Sequence, residues 1–401
     1  MDKKIKVLIN TSTYKEHDED EFTDVINSLT ENMILQNKNL KIRVLKPMST
    51  AGLKLIKKDD YEIYCYRYFW PNRKHIFSNK GIVPAIQKNY LYVLQLIALI
   101  ISQTFSLSKQ CLKFRPDYIY AHWFLPQAFI SALVSKLFGV NMIFTTHGAD
   151  VLLLNKYKYL NKIILNFVLK NTYKFTANSN VTLEQITTHT KTTNYENKYA
   201  IIPMGIDKRL FDEKYINKAA ENNFLYIGRL IDYKGVDILL KSLELFKKNG
   251  NSFKLDILGA GIEEENLKEL SIKLGLKENV FFRGFQNYSS KVEYIKNCDV
   301  FFVTSKQSKS RLEGGPLTLI EAMALEKFCI VSDSVGFAYY LNNDNSLLFQ
   351  SGSANSLSEK LIEFKTMSEQ DKDRLSKNAY ETAKFFSFDN IAKLHNDFFF
   401  G

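Results

Sequence analysis

The sequence predicts an α/β protein built as two doubly wound domains. Three observations carry that reading. Short apolar runs alternate with stretches of helical periodicity along the whole chain, the pattern of a parallel sheet with helices on its faces. The length of 401 residues corresponds to two or three domains of about 150 residues. A proline-containing turn, Ile202-Pro203-Met204-Gly205-Ile206-Asp207, separates two such series.

In the first series the strands read Lys4–Asn10, Lys41–Leu45, Tyr118–Ala121 and Asn141–Thr145. Helices read at about Asp20–Gln36, Leu91–Gln103, Pro126–Phe138 and Leu160–Lys170. In the second the strands read Phe224–Ile227, Lys254–Leu258, Val280–Phe282, Val300–Val303 and Cys329–Val331. Its helices read at about Val236–Lys248, Glu263–Leu274, Ser289–Lys296 and Leu317–Ala324. The expected domains are 1–203 and 204–383, with a C-terminal helix over about 384–401 that could pack back onto the first. No repeat of solenoid period is present.

Composition excludes several classes. The chain is 45% hydrophobic and 24% charged, as in soluble globular proteins, and Gly 17 and Pro 7 are too few for a collagen or low-complexity chain. Cys65, Cys111, Cys298 and Cys329 form no CxxC pair and have no histidine at ligand spacing, so isolated reduced thiols are expected. The N-terminus has too short an apolar run for a signal peptide, which gives a cytoplasmic expectation.

The net charge of +11 is local. Residues 33–116 hold 15 Lys and Arg against 3 Asp and Glu, so this segment is +12 and the other 317 residues sum to −1. Tyr61, Tyr64, Tyr66, Tyr68, Phe69 and Trp70 are interleaved with these cations, a mixture suited to a membrane interface or a nucleic acid. Within the segment, Tyr90–Ile101 is an apolar run shorter than the roughly 20 residues needed to span a bilayer. It reads either as a buried helix or as one lying in the membrane interface.

In doubly wound sheets ligands bind beyond the carboxyl ends of the strands, and the unusual residues lie there. Two sets of such ends facing each other are expected to make one interdomain cleft. Gly228-Arg229-Leu230-Ile231-Asp232-Tyr233-Lys234-Gly235 runs from a strand end to a helix start, with Arg229 as a planar fork and Lys234 as a point charge for phosphate. Glu313-Gly314-Gly315-Pro316-Leu317-Thr318-Leu319-Ile320-Glu321 places two glycines before a proline suited to the first helical position. The open N–H groups of such a helix start form an anion site. Glu321 falls about one turn inside, able to meet a ribose diol, and Glu313 lies before the glycines. Thr145-Thr146-His147-Gly148-Ala149-Asp150 follows another strand and aims His147 at the cleft, with His122-Trp123 a weaker parallel.

Together these residues resemble glycosyltransferase family 4, retaining enzymes of the GT-B fold. The resemblance rests on Arg229 with Lys234, on Glu313 and Glu321 with seven residues between, and on His147-Gly148-Ala149-Asp150. It also rests on Ile202–Asp207 as the family's linker and on Leu258-Gly259-Ala260-Gly261 as its glycine turn. It implies that Arg229, Lys234 and the backbone of Gly315, Pro316, Leu317 and Thr318 bind the donor diphosphate, and that Glu321 binds the ribose. Glu313 and His147 would act at the donor sugar, and Gly261 with the chain from Arg283 to Phe285 would line the base pocket. The family's glycine loop after the first strand is here Thr11-Ser12-Thr13-Tyr14-Lys15-Glu16-His17, so a hydroxyl of Thr11 or Ser12 would have to replace its backbone contact.

The implied reaction is transfer from a nucleoside diphosphate sugar, more readily uridine- than guanosine-linked, through an oxocarbenium-like state and front-face attack. No metal or other cofactor is expected, and Asp18-Glu19-Asp20 reads as a solvated acidic loop. The expected partners are a saccharide acceptor, a lipid-linked one among the candidates, and an anionic membrane surface met through residues 33–116, with no nucleic acid. This places the enzyme at the inner face of the cytoplasmic membrane. A nicotinamide dehydrogenase fits less well, since Gly259-Ala260-Gly261 lacks the third glycine of GxGxxG. A non-catalytic membrane-surface or RNA-binding module leaves the paired glutamates and Arg229 with Lys234 unexplained, and nothing in the chain demands a phosphorylase or epimerase.

Overall fold

The computed structural model describes residues 4–15, 25–48, 54–70, 77, 89, 91–148, 158–188, 197–213, 222–307 and 314–401. It divides into two compact units. One holds Asp24–Pro203 with the start of the chain and Ile391–Gly401, and the other holds Met204–Asn390.

The first unit is one sheet of eight strands: β1 (Ile5–Asn10), β2 (Leu40–Pro47), β3 (Leu55–Lys57), β4 (Tyr61–Tyr66), β5 (Tyr118–His122), β6 (Asn141–Thr146), β7 (Lys174–Ala177) and β8 (Tyr199–Ile201). Their order is β3-β4-β2-β1-β5-β6-β7-β8, parallel throughout except for β3 against β4. A parallel strand covered on both faces must be apolar on both, and in β1 the consecutive Val7, Leu8 and Ile9 are all fully buried. The helices are α1 (Val25–Gln36), α2 (Tyr92–Phe114), α3 (Phe129–Phe138), α4 (Lys158–Lys170) and α5 (Asn180–Thr187). The chain leaves β1 toward β2 and β4, then returns through α2 to β5 on the other side of β1. The strand order therefore reverses between β1 and β5, where a doubly wound sheet opens a crevice at its carboxyl ends.

The second unit repeats the plan with six parallel strands. They are β9 (Asn223–Ile227), β10 (Lys254–Leu258), β11 (Val280–Gly284), β12 (Val300–Val303), β13 (Phe328–Ser332) and β14 (Leu347–Phe349), ordered β11-β10-β9-β12-β13-β14. Its helices are α6 (Val236–Lys248), α7 (Glu264–Lys273), α8 (Tyr288–Asn297), α9 (Leu317–Ala324), α10 (Ala354–Thr366) and α11 (Glu369–Lys384). Here the order reverses between β9 and β12. The last helix, α12 (Phe388–Phe400), brings the C-terminus to the first unit's sheet. Phe399 meets Tyr120 of β5 with ring centroids 5.2 Å apart, and Lys174 Nζ of β7 donates to the Phe398 carbonyl at 2.6 Å.

Three expectations change. The aromatic run after residue 60 contains β4, and Tyr61, Tyr66 and Tyr68 are core residues, leaving Trp70 exposed. Lys46, counted among the cations of 33–116, is fully buried at the end of β2, where its Nζ donates to the Tyr14 carbonyl at 2.7 Å. The apolar run from residue 90 continues as one helix to Phe114. At 23 residues, α2 is long and apolar enough to cross a membrane by length and composition.

Candidate active site

The loops at the carboxyl ends of β9, β10 and β11 are stitched to one another through their backbones. Gly228 N–H donates to the Leu258 carbonyl at 3.0 Å, Gly259 N–H to Gly284 at 2.8 Å, and Leu230 N–H to Ala260 at 3.1 Å. Glycine is required at two of these points. A Cβ at Gly259, whose φ is +131°, would stand 1.9 Å from the Gly228 carbonyl oxygen, and one at Gly261 would stand 2.0 Å from that of Leu230. Gly261 thus has a packing reason to be glycine. The effect is a fixed rim on which Arg229 and Lys234 are mounted.

Arg229 is exposed, and its Nη2 donates to the Tyr233 hydroxyl at 3.0 Å. Lys234 Nζ lies 5.7 Å from the centroid of the same Tyr233 ring. Tyr233 therefore positions both cations, a role the sequence did not reveal. The turn ends at Gly235, φ +68°, where a Cβ would meet the Thr304 carbonyl oxygen at 2.0 Å, and Thr304 Oγ1 donates to the Lys234 carbonyl at 2.9 Å. The residue that follows β12 thereby clamps this turn.

α9 spans Leu317–Ala324 as the sequence predicts. Pro316 is the N-cap, with extended ψ of 118°, and the helix starts at Leu317. No side chain caps this start among the described residues, so the amides of Leu317 and Thr318 face outward from the helix end. Gly315 is pinned behind them, since a Cβ there would sit 2.3 Å from the Phe337 ring. Glu313 lies outside the described residues, as do Ala149, Asp150 and Asp18-Glu19-Asp20.

Glu321 is neither solvated nor alone. It is 4% exposed, and Lys291 Nζ of α8 donates to both of its carboxylate oxygens at 2.7 Å. Burial raises its carboxyl above the ordinary carboxylate range, while the Lys291 charge and hydrogen bonds pull it back. Each oxygen keeps further lone pairs, so a diol can still be met. Lys291 had no signal in the sequence, because the pairing joins two helices thirty residues apart. Phe285, beyond Gly284 at the end of β11, is 76% exposed and offers a ring face for stacking, whereas Arg283 is committed to Asp256, with Nε to Oδ1 at 2.6 Å.

In the first unit, His147 follows β6 and stands beside His122 at the end of β5. His147 Nε2 and His122 Nδ1 are 3.3 Å apart and share one hydrogen. The Trp123 ring lies 4.4 Å from that of His147, and Trp123 is held at φ +79°, a strained conformation for a bulky residue. Burial pushes the His147 imidazole down to about 4 and holds His122 well below its ordinary value, with His147 and His395 adding to the depression of His122. The pair is therefore uncharged near neutral pH. The Thr11 hydroxyl, expected to face the donor, is buried and donates to the Thr13 carbonyl at 2.9 Å, so the loop itself takes it; Ser12 beside it is nearly as buried.

Comparison with known proteins gives two family matches, to glycosyl transferases group 1 over residues 207–382 and to Glycosyltransferase Family 4 over residues 54–210. The chain is 24% identical over 274 residues to an uncharacterized glycosyltransferase of Methanocaldococcus jannaschii, covering 68% of this chain and 72% of that one. It is 24% identical over 236 residues to the capsular polysaccharide biosynthesis glycosyltransferase CapM of Staphylococcus aureus, covering 55% and 59%. Among solved structures, Anabaena HepE in complex with UDP superposes with a TM-score of 0.69 at 15% identity, covering 98% of this chain and 99% of that one.

Proposed function

The chain belongs to glycosyltransferase family 4 and has the GT-B fold, and from that premise we propose that it moves a sugar from a uridine diphosphate sugar to a saccharide acceptor of the cell envelope, without a metal ion and with retention at the transferred carbon. The observation that supports this best is the constellation beyond β9 to β12: Arg229 and Lys234 braced by Tyr233, an open helix start at Leu317, and a buried Glu321. Cations and helix amides suit a diphosphate, and a buried carboxylate suits a ribose diol. Uridine is favoured because the structurally similar HepE holds UDP, and an envelope glycan because CapM serves capsular polysaccharide synthesis. The acceptor is lipid-linked, and the enzyme works at the cytoplasmic face of the membrane. Family membership leaves a non-catalytic module without support.

In this reading, negative charge grows on the leaving diphosphate as the sugar–oxygen bond breaks, and Arg229, Lys234 and the α9 amides meet it. The acceptor hydroxyl attacks from the same face and passes its proton to the departing phosphate oxygen. His147, uncharged at neutral pH, exchanges a hydrogen bond with the donor sugar rather than supplying charge. Glu313 holds sugar hydroxyls.

Calorimetric titration with uridine and guanosine diphosphates tests the donor, and no binding of either at millimolar concentration would refute it. Turnover should persist in excess chelator. Complete loss restored by Mn²⁺ would overturn the metal-free mechanism, and an inverted anomeric proton coupling in the product would overturn retention.

A further inference from the structure

Helix α2 is apolar on the side it shows to water as well as on the side it buries, where Leu99, Leu107, Cys111 and Phe114 lie among glutamines. Toward the sheet it turns Gln95, Gln103 and Gln110, all buried; Gln103 Nε2 donates to Asn10 Oδ1 at 2.7 Å, and Gln110 Oε1 accepts from Arg43 Nη1 at 2.9 Å. Toward solvent it turns Leu94, Ile97, Ile101, Phe105 and Leu112, each at least half exposed and Phe105 73% exposed. Their spacing of three, four, four and seven keeps them on one stripe, about 27 Å long at 1.5 Å per residue. A surface helix of a soluble protein turns a polar face outward instead.

The stripe continues sideways. α2 packs against α3 and α3 against α4, so the three form one layer on the sheet. Leu133 and Leu137 of α3 and Ile163 of α4 are exposed on it as well. The same three helices carry Lys109, Lys113, Lys136, Lys158, Lys162 and Lys170 and not one Asp or Glu. Lys109 and Lys113 flank the α2 stripe at helical spacing.

We infer that the outer face of α2, α3 and α4 is the surface by which this protein docks on an anionic lipid bilayer, with the α2 stripe lying in the interface and the lysines reaching to headgroup phosphates. This deepens the membrane part of the proposed function and rests on it only for the identity of the acceptor. The charge pattern selects the occupant. A second copy of this chain would bring lysines against lysines, and water leaves the apolar stripe unburied. An anionic bilayer satisfies both at once: acyl chains for the stripe and phosphates for ammonium groups whose stems lie along it. α2 lies along the surface rather than across it, because its glutamine face is bonded into the sheet layer.

The test uses the full chain with sedimented vesicles of phosphatidylglycerol and phosphatidylethanolamine, against phosphatidylcholine alone, at low and high salt. Wild type should pellet with the anionic vesicles, and more so at low salt. The triple variant Leu94→Gln, Ile101→Gln, Phe105→Gln and the pair Lys109→Glu, Lys113→Glu should each lower the bound fraction about tenfold. All five positions are exposed, so melting temperature should be unchanged; if the triple variant fails to fold, the lysine pair and the salt series carry the test. All four native cysteines are buried, so a Phe105→Cys variant labelled with an environment-sensitive dye reports insertion directly, by a blue shift with anionic vesicles. Wild type left in the supernatant under every condition, or variants that bind as well as wild type, overturns the inference. So does light scattering that shows a dimer converted to monomer by the triple variant, since a second copy would then be the occupant. Uridine diphosphate titration on the same samples separates this from the donor reading: bilayer binding without nucleotide binding sinks only the latter.

Discussion

The two units share one topology and differ in how they use charge. Residues 204–390 hold 26 Lys and Arg against 27 Asp and Glu, a net charge of −1, and not one of the six histidines. The rest of the chain holds +12 and all six. In the second unit acids and bases are held in pairs around Arg229 and Lys234: Glu321 with Lys291, Asp256 with Arg283, and Lys306 with Asp232 and Asp237. In the first, the lysines of α2 to α4 have no acid on their own helices, and the strand ends carry uncharged imidazoles. Balanced charge around two braced cations confines the field to the turn, as the proposed diphosphate site requires. Unbalanced charge over a whole layer gives a long-range attraction to an anionic surface.

The sharpest way to break that contrast is to exchange the roles of the two sets of cations. Arg229→Ala or Lys234→Ala should lower turnover about 10²–10³-fold, the usual cost of one preorganised donor at a developing charge. Lys109→Glu with Lys113→Glu should leave uridine diphosphate affinity and the hydrolysis of a soluble donor unchanged. Steady-state kinetics with nucleotide titration reads both. Near-wild-type turnover in both Arg229→Ala and Lys234→Ala would erase the distinction.

The Glu321–Lys291 pair sharpens it from the second unit's side. Glu321→Ala leaves a buried ammonium unpaired, which costs about 3–5 kcal/mol of stability in addition to donor affinity. Lys291→Leu leaves the carboxylate without its partner, so its pKa rises further above the ordinary value. The ionised form is the one that accepts from a diol, so donor affinity in Lys291→Leu should climb with pH over a higher range than in wild type. The double variant should be more stable than Glu321→Ala alone. A pH-independent Kd in Lys291→Leu would show that Lys291 does not tune Glu321.

The histidines supply the counterpart. His122, His147 and His395 all have depressed folded pKa values, His147 at about 4 and His395 at about 3. Below about 6.5 the unfolded chain takes up protons that these folded sites refuse, so stability is full above that pH and falls as pH drops toward 4. The loss from His147 is at most about 3 kcal/mol. The second unit has no histidine, so hydrogen-exchange protection factors, corrected for the intrinsic rate, should fall between pH 7 and pH 5 more in β5, β6 and α12 than in β9 to β14. An equal fall in both units would contradict the burial of these rings.

How much of this was legible in the sequence follows from what each feature depends on. Central parallel strands such as β1, β9 and β12 are continuous apolar runs, and they stood out. β4, with Glu62 and Tyr64 between buried neighbours, alternates as a strand covered less fully does, and its tyrosines read as surface aromatics. α10 and α11 are polar helices with narrow apolar stripes and gave little signal. Arg229, Lys234 and Glu321 stand at the strand and helix ends that residue type and position assigned them in the sequence. Tyr233 bracing two cations, Lys291 beneath Glu321, and Lys46 buried against Tyr14 depend on tertiary proximity, which spacing does not encode. The exposed apolar stripe of α2 was hidden for the same reason: the sequence gives its period, but only the sheet shows which side is inward.

The smallest expected effect separates two exposed aromatics, one in each unit. Phe285 is 76% exposed beyond β11, and Trp70 is 75% exposed beyond β4 with the Arg67 guanidinium 5.6 Å from its ring. Exposure alone does not distinguish them, but their settings do. Phe285 stands on the stitched rim that carries Arg229, where a base attached to a bound diphosphate would lie; a stacked ring is worth about 1 kcal/mol. Trp70 stands in the basic segment, where an indole suits the headgroup level of a bilayer. Phe285→Ala should therefore weaken uridine diphosphate about fivefold and leave inorganic pyrophosphate binding unchanged, because only the base is lost. Trp70→Ala should leave both unchanged and lower the fraction pelleted with anionic vesicles by a similar factor. Calorimetry and vesicle sedimentation on the same two variants read all four effects. If Phe285→Ala weakens pyrophosphate as much as the nucleotide, the ring supports the rim and not the base. If Trp70→Ala pellets like wild type, the docking surface ends at the three helices and does not reach the loop after β4.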